Sequence, residues 1–183
     1  METRRRIPPA VRVWSGIGLA VIGLAMARPT GLGLLVGTVC VGYGLLWRLW
    51  ASGYIEKGTA VTTAGPYRLH RHPLYWGTFW LGVGWAAMVG WLWFWAVFLG
   101  YYAVVYGWTV RQEEADLRER FGTAYASYAA RTPRWLPLRR SVERAGPSAS
   151  WSWARVRAHR EHRTVLAVLV GTLLFWLRWK LAV

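Results

Sequence analysis

The sequence predicts an all-α integral membrane protein with about five transmembrane helices. Apolar residues make up 55% of the 183 residues and 15 are Trp, yet the formal net charge is +15. Long apolar runs with clusters of Arg between them are typical of chains that cross a bilayer several times, and Trp favours the membrane interface. Nucleic acid binding is disfavoured, because the Arg residues flank apolar runs and no nucleic-acid motif is present.

The first half of the chain predicts two helices and a hairpin. Apolar runs at 13–27 and 31–50 predict two spans, separated by a tight turn at 28–30. The apolar stretch 74–108 is too long for one span and predicts a helical hairpin that turns at Gly90. Its second arm is expected to continue beyond the bilayer as a polar helix over 111–121, because charged residues begin at position 111.

The second half of the chain is basic and ends in a fourteen-residue apolar run, 164–177. This run is short for a span, so it is expected either to cross as a fifth helix or to lie in the interface. Residues 141–150 look like a linker. We therefore treat residues 1–183 as one domain with three parts: an N-terminal two-helix hairpin (1–50), a core (55–137), and a linker with a C-terminal apolar helix (138–183).

Charge distribution predicts the orientation in the membrane. The N-terminus, the loop 51–72 and the segment 111–163 are basic, whereas the two opposite turns contain only Arg28. By the positive-inside rule the three basic segments face the cytoplasm. The high content of Arg, Ala, Trp and Gly is typical of a GC-rich coding sequence and favours a bacterial inner membrane. Two polar segments on one side of the membrane can build one site.

Three polar clusters are candidates for that site, and each has a simpler interpretation. Residues 65–77 hold Arg, His and Tyr side chains before a helix that starts at Pro73; they could bind a phosphate or carboxylate, or only lipid headgroups. The helix 113–122 could bind a cationic ammonium group through Glu114, or could be a solvated helix of Glu/Arg pairs. The segment 125–137 could close a pocket, or could be an interfacial anchor.

The order and spacing of these clusters resemble one family. Gly-x-Tyr-x-x-x-Arg-His-Pro-x-Tyr-x-Gly (65–77) is followed by Glu-Glu-x-x-Leu-x-x-x-Phe-Gly-x-x-Tyr-x-x-Tyr (113–128) and Arg-x-Pro-Arg-x-x-Pro (131–137). Together they resemble the isoprenylcysteine carboxyl methyltransferase family, with its phospholipid methyltransferase relatives, over roughly residues 55–137. No such motif occurs in residues 1–50.

The resemblance implies an S-adenosylmethionine-dependent membrane methyltransferase with a cytoplasmic cofactor pocket. A lipophilic acceptor, of which a prenylcysteine-type carboxylate is one example, would enter from the bilayer between helices. The implied catalytic residues are Arg71, His72 and Glu114. The implied cofactor-binding residues are Tyr67, Arg71, His72, Pro73, Tyr75, Gly77, Glu113, Glu114, Tyr128, Arg131 and Arg134.

Residue chemistry is compatible with this reaction. Arg71 could orient an acceptor carboxylate bidentately, and a carboxylate needs no base. His72 or Glu114 could accept the proton of an amine or thiol acceptor. No metal is expected, since the His residues lack acidic partners at metal-binding spacing. Two alternatives stay open: a membrane reductase of the sterol reductase type that uses a nicotinamide cofactor, and a non-enzymatic membrane scaffold.

Overall fold

The computed structural model describes residues 8–55, 60–136 and 150–182. Within these ranges the chain is helical and contains no strand, which confirms the predicted fold class. The helices are α1 (Pro9–Met26), α2 (Gly31–Ser52), α3 (Pro73–Val89), α4 (Leu92–Arg131), α5 (Trp153–Ala158) and α6 (Glu161–Ala182), with a 3-10 turn at Gly65–Arg68 before α3.

Three of these helices are long and apolar enough to cross a membrane: α2, α4 and α6. Helix α1 is a shorter apolar helix, and α3 has 17 residues. The predicted last run, 164–177, extends in both directions to Glu161–Ala182, 22 residues, because the helix continues through charged residues at both ends. Its length therefore no longer argues against a fifth span.

The predicted hairpin between α3 and α4 is confirmed at Gly90. This residue caps α3 with φ of 78°, a left-handed conformation that favours glycine. A Cβ at this position would lie 2.3 Å from the Arg28 carbonyl oxygen, and the Arg28 N–H donates to the Val89 carbonyl at 2.9 Å. The turn 27–30 and the α3–α4 turn therefore pack against each other.

Helices α2 and α3 pack closely through glycines. A Cβ on Gly37 would lie 2.5 Å from the Gly84 carbonyl oxygen, and one on Gly44 would lie 2.7 Å from the Gly77 carbonyl oxygen. Such close backbone approach is how helices associate without a hydrophobic driving force in lipid. Gly77 was predicted to bind the cofactor, but the structure places it in this helix–helix contact.

An ion pair attaches α6 to this helix pair. Arg48 of α2 donates from Nε to Glu161 Oε2 at 3.0 Å and from Nη2 to Oε1 at 2.7 Å. Its Nη1 donates to the Thr78 hydroxyl of α3 at 2.6 Å. The buried Glu161 carboxylate is thus paired with Arg48, a partnership that charge counting along the chain does not reveal.

Residues 150–158 return to the end of α2. The Ser152 N–H donates to the Gly53 carbonyl at 3.0 Å, and Trp151 Nε1 donates to the Leu49 carbonyl at 3.3 Å. Most of the predicted linker, 141–149, lies outside the described residues. The N-terminal part of α6 is thereby held close to the loop that precedes α3.

Helix α4 is much longer than a bilayer crossing requires. Before its interruption at Gly122, the continuous helix 92–121 extends over about 45 Å at ~1.5 Å per residue, well beyond the ~30 Å hydrocarbon thickness. The predicted polar continuation over 111–121 is confirmed, and further helical turns follow to Arg131. Gly122 interrupts it with φ of 49°, so the last turns change direction.

His70 precedes α3 as a fully buried imidazole. It lies between the Trp47 and Trp76 rings, at centroid distances of 5.4 and 5.8 Å. Neither ring nitrogen has a hydrogen-bond partner among the described residues. Burial, and then the nearby His72, lower the pKa of His70 from 6.5 to about 4. The folded protein therefore holds this ring neutral.

Acid should destabilise the protein partly through His70. The pKa of His70 is lower in the folded protein than in the unfolded chain. The contribution of His70 to the free energy of unfolding is therefore fully present above pH 6.5 and is lost as the pH falls towards 4. Between pH 7.5 and pH 4.5, the free energy of unfolding should fall by about 2 kcal/mol less in His70→Leu than in the native protein. Thermal unfolding in detergent at the two pH values measures this difference, and equal losses in both proteins would contradict it.

Candidate active site

A buried carboxylate is the centre of the candidate site. Glu114, on the polar part of α4, has 1% of its side chain exposed. Arg71 Nη1 lies 2.8 Å from its Oε1, and His72 Nε2 lies 3.2 Å from the same atom. Arg134 donates from Nε to Oε1 at 3.0 Å and from Nη2 to Oε2 at 2.7 Å. All three predicted polar clusters thus meet at one carboxylate.

Hydrogen bonds to backbone carbonyls hold the three segments in this arrangement. The Arg71 N–H donates to the Pro133 carbonyl at 2.9 Å, and the Tyr128 hydroxyl donates to the Tyr67 carbonyl at 2.8 Å. The Thr132 N–H, at the end of α4, donates to the Tyr128 carbonyl at 3.0 Å. The loop before α3 and the segment after α4 are therefore joined independently of the charges.

Local sequence explains the position of His72. Pro73 is the first residue of α3, where the missing N–H costs no helical hydrogen bond, and it is buried. The His72 carbonyl accepts the Trp76 N–H at 3.0 Å, which places His72 at the N-cap. Because Glu114 can only accept, the proton in their contact lies on Nε2, and a neutral ring keeps Nδ1 as an acceptor.

Aromatic rings form a wall beside the carboxylate. Tyr75 stacks on His72 at 5.8 Å with an interplanar angle of 17°, and Trp135 lies 6.1 Å from the His72 ring. Tyr102 donates from its hydroxyl to the Tyr75 carbonyl at 2.7 Å. Trp135 lies inside the predicted candidate segment 125–137, although it was not among the implied cofactor-binding residues, whereas Tyr102 lies outside all three predicted clusters.

Several polar atoms around Glu114 are buried without a hydrogen-bond partner in the described part of the chain. They include Arg71 Nε, Glu113 Oε2 and Thr132 Oγ1. The His72 Nδ1 atom lies 3.8 Å from Glu113 Oε2, which is beyond hydrogen-bond distance. Buried groups of this kind need an explanation, and a polar ligand is one.

Protonation in the site follows from burial and charge. Hydrogen bonding to Glu114 raises the pKa of Arg134 above its usual value. Burial, and then the negative charge of Glu113, raise the pKa of Tyr67 well above its ordinary range. The site therefore offers a fixed cation and a neutral phenol. Arg131, also predicted here, is exposed and donates from Nε to the Ser127 carbonyl on its own helix at 3.2 Å.

Comparison with known proteins identifies the central segment. Residues 47–124 match the phospholipid methyltransferase family. The predicted resemblance is confirmed over this segment, which includes the Arg-His-Pro motif and the Glu-Glu motif as far as residue 124 but ends before the Pro-Arg segment. The structure nevertheless brings Arg134 into contact with Glu114 of the methyltransferase-family segment.

Two curated bacterial proteins are similar to the chain. It is 36% identical over 106 residues to the nickel-cobalt-cadmium resistance protein NccN of Alcaligenes xylosoxydans xylosoxydans, and 37% identical over 107 residues to the cobalt-zinc-cadmium resistance protein CzcN of Cupriavidus metallidurans. Each alignment covers 57% of this chain and 49% of the relative, so the chain spans about half their length. No solved structure matches the chain.

Those relatives are named for metal resistance, which makes candidate metal ligands relevant. Across residues 8–55, 60–136 and 150–182, no group of three or more His, Cys, Asp or Glu side chains could hold a metal ion. Glu114 is instead surrounded by cationic and imidazole groups.

Proposed function

We propose that this protein is an S-adenosylmethionine-dependent membrane methyltransferase that acts on a lipophilic acceptor. The observation that supports this most strongly is the meeting of Arg71, His72 and Arg134 at the buried Glu114. These residues come from three motifs that are far apart in sequence. The family match of residues 47–124 and the apolar helices support the coarser class, a membrane methyltransferase.

The residues present fit this cofactor. Its amino acid part carries an ammonium and a carboxylate. In the part of the chain that the structure describes, one buried acceptor, Glu113 Oε2, and one buried donor, Arg71 Nε, have no hydrogen-bond partner. Glu113 would hold the ammonium, and Arg71 and Arg134 would hold the carboxylate. The faces of Tyr75, His72 and Trp135 would lie beside the sulfonium, since aromatic faces attract cations. S-adenosylmethionine, when bound, supplies an electrophilic methyl group on sulfur.

Glu114 has a different role in this proposal from the one that the motif alone implied. Its oxygens already accept from three basic side chains, so it is poorly disposed to bind a further ammonium or to accept a proton. We assign it the positioning of Arg71 and Arg134. Glu113, its half-exposed neighbour, is the better ligand for a cationic group.

The chain's own contribution to catalysis is then positioning and exclusion of water. Such effects dominate when the methyl donor is already a good electrophile. A carboxylate acceptor would need no base. An amine or thiol acceptor would pass its proton to His72 Nδ1, the imidazole nitrogen that does not contact Glu114. The acceptor would enter from the bilayer on the cytoplasmic side, at a bacterial inner membrane.

Calorimetry with the detergent-purified protein tests the proposal. We expect native protein to bind S-adenosylmethionine in the micromolar range and Arg134→Ala to bind about 10–100-fold more weakly, because charge-assisted hydrogen bonds are lost. Arg163→Ala removes an exposed Arg on the first turn of α6 and is the matched control. No binding by folded native protein, or binding of a reduced nicotinamide cofactor instead, would overturn the proposal.

A further inference from the structure

Arg12 is a half-buried guanidinium of α1 that lies beside the candidate active site. Its Nη1 donates to the Tyr75 hydroxyl at 3.2 Å, and its Cζ lies 5.6 Å from the centroid of the Tyr75 ring. The same ring stacks on His72, which contacts Glu114. Two aromatic side chains therefore connect Arg12 to the buried carboxylate.

Arg12 differs from the other guanidinium groups that approach this site. Arg48 pairs with Glu161, while Arg71 and Arg134 pair with Glu114. Within the ranges that the structure describes, Arg12 forms no salt bridge: its Nη1 donates to the Tyr75 hydroxyl, and that hydroxyl also interacts with Glu113. A charge removed from water is normally paired, because desolvation is costly. The position therefore suits an anion from outside the described chain.

The surroundings of Arg12 indicate what kind of anion could reach it. Neighbouring side chains of α1 are apolar and exposed: Val11 is 54% exposed, Val13 52% and Trp14 70%. Towards the bundle, the Tyr101 hydroxyl of α4 donates to the Arg12 carbonyl at 3.2 Å. Arg12 thus lies where an apolar, lipid-facing surface meets the aromatic wall of the site. A molecule with an apolar tail and an anionic head matches both sides of this position.

We propose that Arg12 binds the anionic head, a carboxylate or phosphate, of the lipophilic methyl acceptor and so determines which acceptors are used. This inference rests on the proposed function and adds the charge of the acceptor to it. Arg12 lies outside residues 47–124, the segment that matches the methyltransferase family. Acceptor choice would therefore depend on α1, whereas the proposed cofactor-binding residues lie in the family segment and in the Pro-Arg segment that follows it.

A binding experiment in non-ionic detergent tests the role of Arg12 without turnover. The probes are S-farnesylthioacetic acid and its neutral amide, which share one apolar tail. We expect native protein to bind the acid at least tenfold more tightly than the amide, and Arg12→Gln to lose that preference. Arg28→Gln is the matched control: Arg28 follows α1 at its other end, lies 4.8 Å from the Trp91 ring, and should leave the preference unchanged.

The outcomes separate this inference from its rivals. Equal binding of acid and amide by native protein, or an unchanged preference in Arg12→Gln, would overturn it. Loss of the preference when phosphatidylglycerol is added to the micelles would show that Arg12 binds bulk lipid headgroups, which also overturns it. Failure to bind S-adenosylmethionine would defeat the proposed function alone, because the acid preference is measured without the cofactor.

Discussion

Glu114→Gln is expected to abolish measurable S-adenosylmethionine binding and to destabilise the protein. The amide keeps the shape of the side chain but removes the negative charge that faces Arg71 and Arg134 at 2.7–3.0 Å. Breaking a buried ion pair by neutralising one partner costs about 3–5 kcal/mol, because the remaining charge is left without compensation. For a chain of this size that corresponds to a fall in Tm on the order of 10 °C.

Tryptophan fluorescence during heating and calorimetry with the cofactor measure the two effects of Glu114→Gln. Glu119→Gln, which changes an exposed glutamate on the same helix, should leave both quantities within error of the native protein. Native-like Tm and cofactor affinity in Glu114→Gln would show that Glu114 does not organise the site. A lower Tm with unchanged affinity would restrict its role to stability.

Arg48→Met should destabilise the protein to a similar degree without any direct effect on the candidate site. It leaves the buried Glu161 carboxylate without its bidentate partner, at an expected cost of about 3–5 kcal/mol. The double variant Arg48→Met/Glu161→Leu should recover at least half of that loss. Both charges are then absent, and replacing a buried ion pair by apolar side chains is often close to neutral.

Thermal unfolding of the single and double variants in detergent measures this coupling. Arg163→Gln, an exposed change two residues after Glu161, controls for altered charge on α6. If the stability loss of the double variant equalled the sum of the losses in Arg48→Met and Glu161→Leu, the two side chains would not be energetically coupled. If Arg48→Met had native stability, α6 would be held by apolar packing alone.

The sequence was most informative where structure depends on neighbouring residues. In lipid, every backbone polar group must be satisfied within its own helix, so apolar runs and their Gly and Pro boundaries reveal the helices directly. The turn at Gly90, the start of α3 at Pro73 and the polar continuation of α4 follow from such local signals. The last helix was predicted too short, because its charged ends concealed its true length.

The motifs identified the residues of the candidate site but not their mutual contacts. Arg71, His72, Glu114 and Arg134 were all predicted, and the structure brings them together. Residue chemistry alone suggested that Arg71 and Glu114 would each face a ligand. The structure instead pairs them with each other, because two opposite charges brought together under burial satisfy one another.

By itself, the sequence determined that the chain is a helical membrane protein whose central segment resembles methyltransferases. Helix formation and membrane insertion depend on composition over short stretches, which one sequence displays. Only the tertiary structure decided that Glu161 binds Arg48 across 113 positions, that Gly77 packs against α2, and that Arg12 reaches Tyr75. Those contacts depend on how each helix is rotated and how closely its neighbours approach, which are properties of the packed bundle rather than of any single segment.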